Sequence, residues 1–289
     1  MDDSQTNSRP RVQVGCQGWN YEDWVTPPAA ARPVFYPNGT RAEHMLDAYA
    51  RAFDTVEVDS TFYAAPSDST YDAWARRTPP GFTFALKLPQ QITHEESLRG
   101  ERAAEALGEF CRGARRLKEK LAAVLVQLPP QFEATRENLR ALSEFLPLLP
   151  ADIRFAVEFR DPFWFEEELL VPLSLQRNVA LALVEGPWVT RERVWRAAAP
   201  LLDASDFAYV RWMGARDLTR FDEVVRPRDL NLDKWAAALE RLRERVPYVC
   251  AYFSNFYEGH APASANKLKR LLGDAVVGPE DLENQPSLF

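Results

Sequence analysis

The chain has 289 residues, 46% of them hydrophobic and 12% aromatic, enough for a packed core in one large α/β domain or two ordinary ones. Its formal net charge of −7, with basic and acidic residues well mixed, gives no whole-molecule attraction to nucleic acid or to an anionic membrane. The three isolated cysteines, Cys16, Cys111 and Cys250, argue against a disulfide framework or a cluster-binding motif and fit a reducing, cytoplasmic setting.

The start, MDDSQTNSRPR, is polar and does not read as a signal peptide, and no apolar run reaches membrane-spanning length. A first strand is expected over residues 12–19 (VQVGCQGW), leading into an aromatic loop with Tyr21, Trp24 and Tyr36. Thr40 and Glu43 have the spacing of a capping box and open a helix to about residue 53. The chemistry centres on residues 54–63, DTVEVDSTFY. There Val56 and Val58 alternate with Glu57 and Asp59, and Thr61 and Tyr63 continue the polar set. That is the period of a strand with one apolar face and one acidic, hydroxyl-bearing face.

A helix from residues 67–69 through Trp74 is stopped by Pro79, Pro80 and Gly81. Strand three, residues 82–89, carries Lys87; the loop after it, 90–99, carries His94, and a charged helical stretch runs to residue 120. Strand four, 122–130, has Gln127 near its end, and a helix covers 138–149. Strand five, 154–161, sets Glu158 and Arg160 on one side, before a short helix over 166–176. Strand six, 179–186, ends in Glu185, and a helix passes through Val194 and Trp195. Strand seven, 207–214, carries Tyr209, Arg211 and Met213 on one side; a long loop, 215–230, leads to a helix over 232–245. Strand eight is 247–255, and the last helix begins near Ser264.

Regular strand–helix alternation implies parallel strands with right-handed crossovers. Eight such units predict a single (β/α)8 TIM barrel over residues 12–273, between a polar tail, 1–11, and an acidic tail, 274–289. A doubly wound open sheet is disfavoured, since GCQGW after the first strand is not a dinucleotide-binding fingerprint.

In such a barrel the carboxyl ends of the strands form the active face. The expected catalytic residues there are Glu57, Asp59, Lys87 and Glu158, with Trp19, Tyr63, Gln127, Arg160, Arg211, Asn255, Ser264 and Asn266 as substrate- or anion-binding residues. Converging opposite charges can position an acid and a base or hold an anion. The competing reading is an internal ion network in which Glu57 and Glu158 neutralise Lys87 and Arg211.

The segments GCQGWNYEDW, FDTVEVDSTFY, WARRTPPGFTFALKLPQQITH, VLVQLPPQF, AVEFRDPFW, YVRWMG and AYFSNFYEGHAPASANKLKRLL, in that order, resemble the YecE-like proteins, the group labelled domain of unknown function 72. The resemblance implies a TIM barrel and no particular reaction. Met213 stands where a histidine is common in that group, and Ser254 where an asparagine is common.

Several chemistries compete for this face. Only three histidines exist, His44, His94 and His260, so a transition-metal site is not expected. No cofactor is expected, although oxygen-ligated Mg²⁺ at Glu57, Asp59 or Glu158 stays open. Glu57 and Glu158 would serve a glycosidase if their carboxyls stood roughly 5 to 9.5 Å apart. Lys87 could form a Schiff base if desolvated, but adjacent carboxylates would keep it protonated. Arg211, Asn255, Ser264 and Asn266, after strands seven and eight, would hold a phosphate or carboxylate. The aromatic residues at the face would stack a sugar or a base, or pack beneath a loop.

The chain ends in QPSLF, which resembles the QxxLF peptides with which bacterial replication and repair proteins bind the sliding clamp, with Gln285, Leu288 and Phe289 as the contacts. The alternative is a tail whose Leu288 and Phe289 pack on the barrel. Two functions follow: an enzyme of the hydrolase, lyase or isomerase type acting on a phosphorylated or polyhydroxylated small molecule or a nucleotide-like substrate, or an accessory protein of DNA metabolism tethered to the clamp by its tail.

Overall fold

Eight short apolar segments form the parallel strands β1 (Arg11–Gln17), β2 (Thr55–Val58), β3 (Thr83–Lys87), β4 (Leu121–Gln127), β5 (Phe155–Glu158), β6 (Val179–Glu185), β7 (Ala208–Trp212) and β8 (Tyr248–Phe253). Each strand pairs with the next, and β8 pairs with β1, so the sheet closes into the expected barrel. The structure, a computed structural model, describes residues 11–284. Gln285, Leu288 and Phe289 therefore lie outside the described residues, as does most of the 1–11 tail.

The strands are buried on both faces, which is why they read as nearly continuous apolar runs. Side chains such as Val56, Val58, Phe84, Leu86, Val124 and Val126 pack against the helices, while Ala85, Ala123, Ala156 and Ala182 surround Leu125, Tyr209 and Tyr252 in a separate inner cluster. At the amino end of the barrel Gln13 Oε1 accepts from Tyr248 OH at 2.5 Å and from Thr83 Oγ1 at 2.9 Å. That end is closed by satisfied polar groups, and the charged groups collect at the other end.

The helices are α1 (Ala42–Ala52), α2 (Asp68–Arg77), α3 (Gly100–Ala114), α4 (Arg136–Phe145), α5 (Glu167–Leu170), α6 (Arg191–Ala198), α7 (Asp229–Arg245), α8 (Asn255–Glu258), α9 (Ala261–Leu271) and α10 (Pro279–Asn284). Ser67 and Thr135 cap α2 and α4 with their hydroxyls. Several local expectations change. The Thr40–Glu43 capping box does not form: α1 starts after Arg41, and Thr40 Oγ1 donates to Pro37 O instead. The helix expected over 166–176 breaks into α5 and a 3-10 turn, Val171–Leu175, because Pro172 has no N–H to continue it. The last barrel helix opens at Ala261 with proline in its first turn, so Ser264 lies within it. The acidic tail is partly helical, and α10 is held to the barrel by Leu282, which is 1% exposed. No described helix is long and apolar enough to cross a membrane.

Candidate active site

The largest difference from the sequence expectation lies just after β2. The polar alternation does not continue as strand: the chain turns into a 3-10 helix, Asp59–Phe62. Thr61 Oγ1 sits at the turn's centre, donating to Lys87 O at 2.6 Å and to Val58 O at 3.0 Å and accepting from Lys87 N at 3.0 Å. One hydroxyl thus ties the turn to the end of β3. Glu57 points inward from the strand, Asp59 stands at the rim with 41% of its side chain exposed, and Tyr63 is turned out to solvent at 74%.

Arg211 on β7 organises the deep part of the mouth. It is 1% exposed, and its Nε and Nη2 donate to Glu57 Oε2 and Oε1 at 2.9 and 2.7 Å, a bidentate pair. Its Nη1 donates to Glu158 Oε2. Tyr209 OH, two residues back on β7, donates to Glu57 Oε2 at 2.6 Å. Arg160 Nε donates to Glu158 Oε1 at 3.2 Å, and its Nη2 donates to Gln127 Oε1 at 2.9 Å. Both carboxylates are fully buried, and all four of their oxygens are engaged.

Burial works against charge throughout this cluster. It pushes the Glu57 carboxyl up to about 7 against the pull of Arg211. Burial alone would raise Glu158 as well, but the Arg211 and Arg160 guanidiniums outweigh it and hold that carboxyl below its ordinary value. For Arg211 the two glutamates outweigh burial in the same way, so it stays charged.

Lys87 stands apart from this cluster. It is 8% exposed, and among the described residues no acceptor or carboxylate is within bonding reach of Nζ, which lies 3.9 Å from the centre of the Phe62 ring. Burial lowers its ammonium from the ordinary range to about 8; Asp59 and Glu158 oppose that shift, and Arg211 and Arg160 add to it. Asp59 is its counterpart. Its Oδ1 is buried without a hydrogen-bond partner, 3.9 Å from Arg211 Nη2. His94, in a short π-helical turn (Gln91–Glu95) rather than an open loop, meets the Phe62 ring edge-on at 4.9 Å and bonds Thr93 Oγ1 through Nδ1. Burial, with repulsion from Lys87 and Arg160, lowers it to about 4, so it is neutral at physiological pH.

Two cavities lie near the mouth, and none of the ring's charged residues lines either of them. One of about 250 Å³ is lined by Phe62, Tyr63, Pro89, Gln90 and Gln91, and one of about 370 Å³ by Glu185, Gly186, Trp188, Arg191 and Asn231. The first touches the ring that carries Lys87. The second touches Trp188, whose ring carries the Arg160 guanidinium at 4.5 Å.

The remaining expected residues serve other contacts. Asn255 Oδ1 accepts from Trp24 Nε1 at 3.2 Å and Ala261 N at 3.0 Å, and its Nδ2 is buried without a partner. Ser264 donates to His260 O within α9, and Asn266 Nδ2 donates to Val277 O, so neither joins Arg211 in an anion site. Arg211 itself is committed to two carboxylates. Trp19 is half-buried, edge-on to Trp74, and Trp24 and Tyr36 are packing residues beneath the loop. At the two unusual positions, Met213 Sδ accepts from Gln17 Nε2 at 3.0 Å, and Ser254 Oγ caps α8. Among the described residues no three His, Cys, Asp or Glu side chains converge as a metal-ligand set, and each carboxylate oxygen of Glu57 and Glu158 already accepts a hydrogen bond. Sequence reasoning missed Gln17, Trp188 and the role of Tyr209. Only Tyr209 left a signal there, its two-residue spacing from Arg211.

Fold and mouth together define a parallel (β/α)8 barrel with a buried arginine–dicarboxylate cluster at the carboxyl end of its strands. The chain belongs to the family described as Protein of unknown function DUF72, whose model matches residues 13–287. It is 26% identical over 285 residues to UPF0759 protein YunF of Bacillus subtilis, covering 90% of this chain and 94% of that one. It is 30% identical over 178 residues to UPF0759 protein YecE of Escherichia coli K12, covering 60% and 59% of the two chains. The crystal structure of a DUF72 family protein from Thermotoga maritima superposes with a TM-score of 0.72 at 26% identity, over 91% of this chain and 99% of that one.

Proposed function

We propose that the chain is an enzyme that takes a small phosphorylated or polyhydroxylated molecule at the carboxyl end of the barrel, with Asp59 and Lys87 as acid/base groups and Arg160 as a second positive contact. One observation carries this reading: the charged ring is divided. Glu57, Arg211 and Glu158 satisfy one another, whereas Lys87 Nζ and Asp59 Oδ1 have no hydrogen-bond partner among the described residues. A purely structural network would leave the buried Asp59 Oδ1 without a hydrogen bond, with only the Arg211 guanidinium 3.9 Å away, and would give Lys87 no polar partner from the protein. A ligand that donates to Asp59 and presents an electron-rich oxygen to Lys87 supplies both.

The test is thermal unfolding of the full chain with inorganic phosphate, ribose 5-phosphate, glucose 6-phosphate or myo-inositol. The expected result is a concentration-dependent rise in Tm with at least one probe, lost in Lys87→Met and in Asp59→Asn. No rise with any of the four, or a rise unchanged in both variants, contradicts the reading.

A further inference from the structure

We propose that Lys87 is a carbonyl-condensing nucleophile, so that the mouth takes a small aldehyde or ketone with polar substituents and holds it as an imine on Nζ. This rests on the reading of the mouth as a small-molecule site and adds the functional group that the substrate carries.

A second lysine in the same chain supplies the comparison. Lys87 and Lys120 are equally buried, each 8% exposed. Lys120 Nζ donates to Ala75 O at 2.7 Å, to Thr78 O at 2.7 Å and to Thr78 Oγ1 at 3.0 Å, so every ammonium proton has an acceptor. That is how a buried structural lysine is accommodated. Lys87 has only the face of Phe62. Apart from that cation–π contact, Nζ makes no hydrogen bond to a described residue, so the neutral amine with a free lone pair costs less here than it would in the setting of Lys120. The sequence objection to a Schiff base was that adjacent carboxylates would keep the amine protonated. Glu57 and Glu158 turn out to be spent on Arg211 and Arg160, and no carboxylate forms an ion pair with Lys87 among the described residues.

Position agrees with this role. Lys87 ends β3 at the catalytic face of the barrel, and its backbone is fixed on both sides by Thr61. Asp59, at the end of the neighbouring strand, has the partnerless Oδ1 needed to carry a proton. Asp59, which lies beyond ion-pair distance of Nζ, takes a proton from the ammonium through a bridging water, and the freed lone pair forms the C–N bond as the carbonyl π electrons move onto oxygen. A second nitrogen proton passes to that oxygen, giving the carbinolamine. Asp59 then returns its proton to the hydroxyl, which leaves as water as the protonated imine forms. Ammonium plus carbonyl gives protonated imine plus water, with Asp59 returned to its starting state and no oxidant or reductant needed.

The experiment is reductive trapping on the full chain at about pH 8. Dihydroxyacetone phosphate, dihydroxyacetone or pyruvate is added with cyanoborohydride, followed by peptide mapping. In parallel, acetylation of Lys87 by acetic anhydride is measured with and without each probe. The expected result is one dominant adduct on Lys87, forming roughly tenfold faster than on any other lysine and absent in Lys87→Arg. Protection of Lys87 from acetylation without a reducible adduct overturns the imine and leaves the small-molecule site standing. Neither adduct nor protection overturns both.

Discussion

Arg211 decides how the deep half of the mouth behaves. A guanidinium sealed from water is tolerated here because three of its nitrogens meet two carboxylates, and those carboxylates are tolerated because they meet it. The balance is tight enough that removing one partner is far worse than removing all of them. Arg211→Met keeps the stem and volume but leaves Glu57 and Glu158 facing each other in a dry interior. The expected loss is about 3–5 kcal/mol of stability in chemical denaturation. A loss under about 1 kcal/mol, the size of a surface ion pair, contradicts the description of this cluster as a sealed unit.

Two irregular elements shape the mouth more than the strands do. The 3-10 turn Asp59–Phe62 was hidden because DTVEVDSTFY keeps its period-two pattern straight through the point where the strand ends. Nothing in composition marks Val58 as the last strand residue; Thr61 decides it, by bonding across to β3. The second element is the loop between β7 and α7, which Glu258 clamps at the rim. Glu258 O accepts from Val225 N at 2.7 Å and Arg226 N at 3.0 Å, and its Oε1 accepts from Arg228 N at 2.6 Å. Gly259 makes the approach possible. Its φ of +114° lies where L side chains are strained, and a Cβ there would stand 2.4 Å from Val225 Cγ2 and 2.5 Å from Glu223 O. Gly259→Ala is expected to cost about 1–3 kcal/mol and to speed hydrogen exchange in residues 221–228. Unchanged exchange there would show that the loop is held by other contacts.

At the scale of the molecule, the barrel was legible because doubly buried strands and their spacing leave a strong apolar signal, and the missing dinucleotide fingerprint removed the main competitor. The site was legible in part. Inward charges on β2, β3, β5 and β7 could be named from position alone, but not their pairing, because strand order along the chain does not say which guanidinium reaches which carboxylate across the barrel. Arg211 therefore read as an anion binder and Lys87 as a catalytic residue or a neutralised cation, whereas in the structure it is Arg211 that the two glutamates neutralise. Ser264 and Asn266 were placed beside Arg211 by their order after β8, whereas the early start of α9 turns them to other partners.

The central claim is that the charged ring has a closed half around Arg211 and an open half around Lys87. Competitive acetylation of Lys87 across pH, followed by peptide mass spectrometry, tests it most directly, because only the unprotonated amine reacts and its rate rises as pH passes through the ammonium pKa. The account predicts a midpoint near the lowered value of about 8. A midpoint at the ordinary lysine value of about 10.4, or a Lys87 that does not react at any pH, contradicts it.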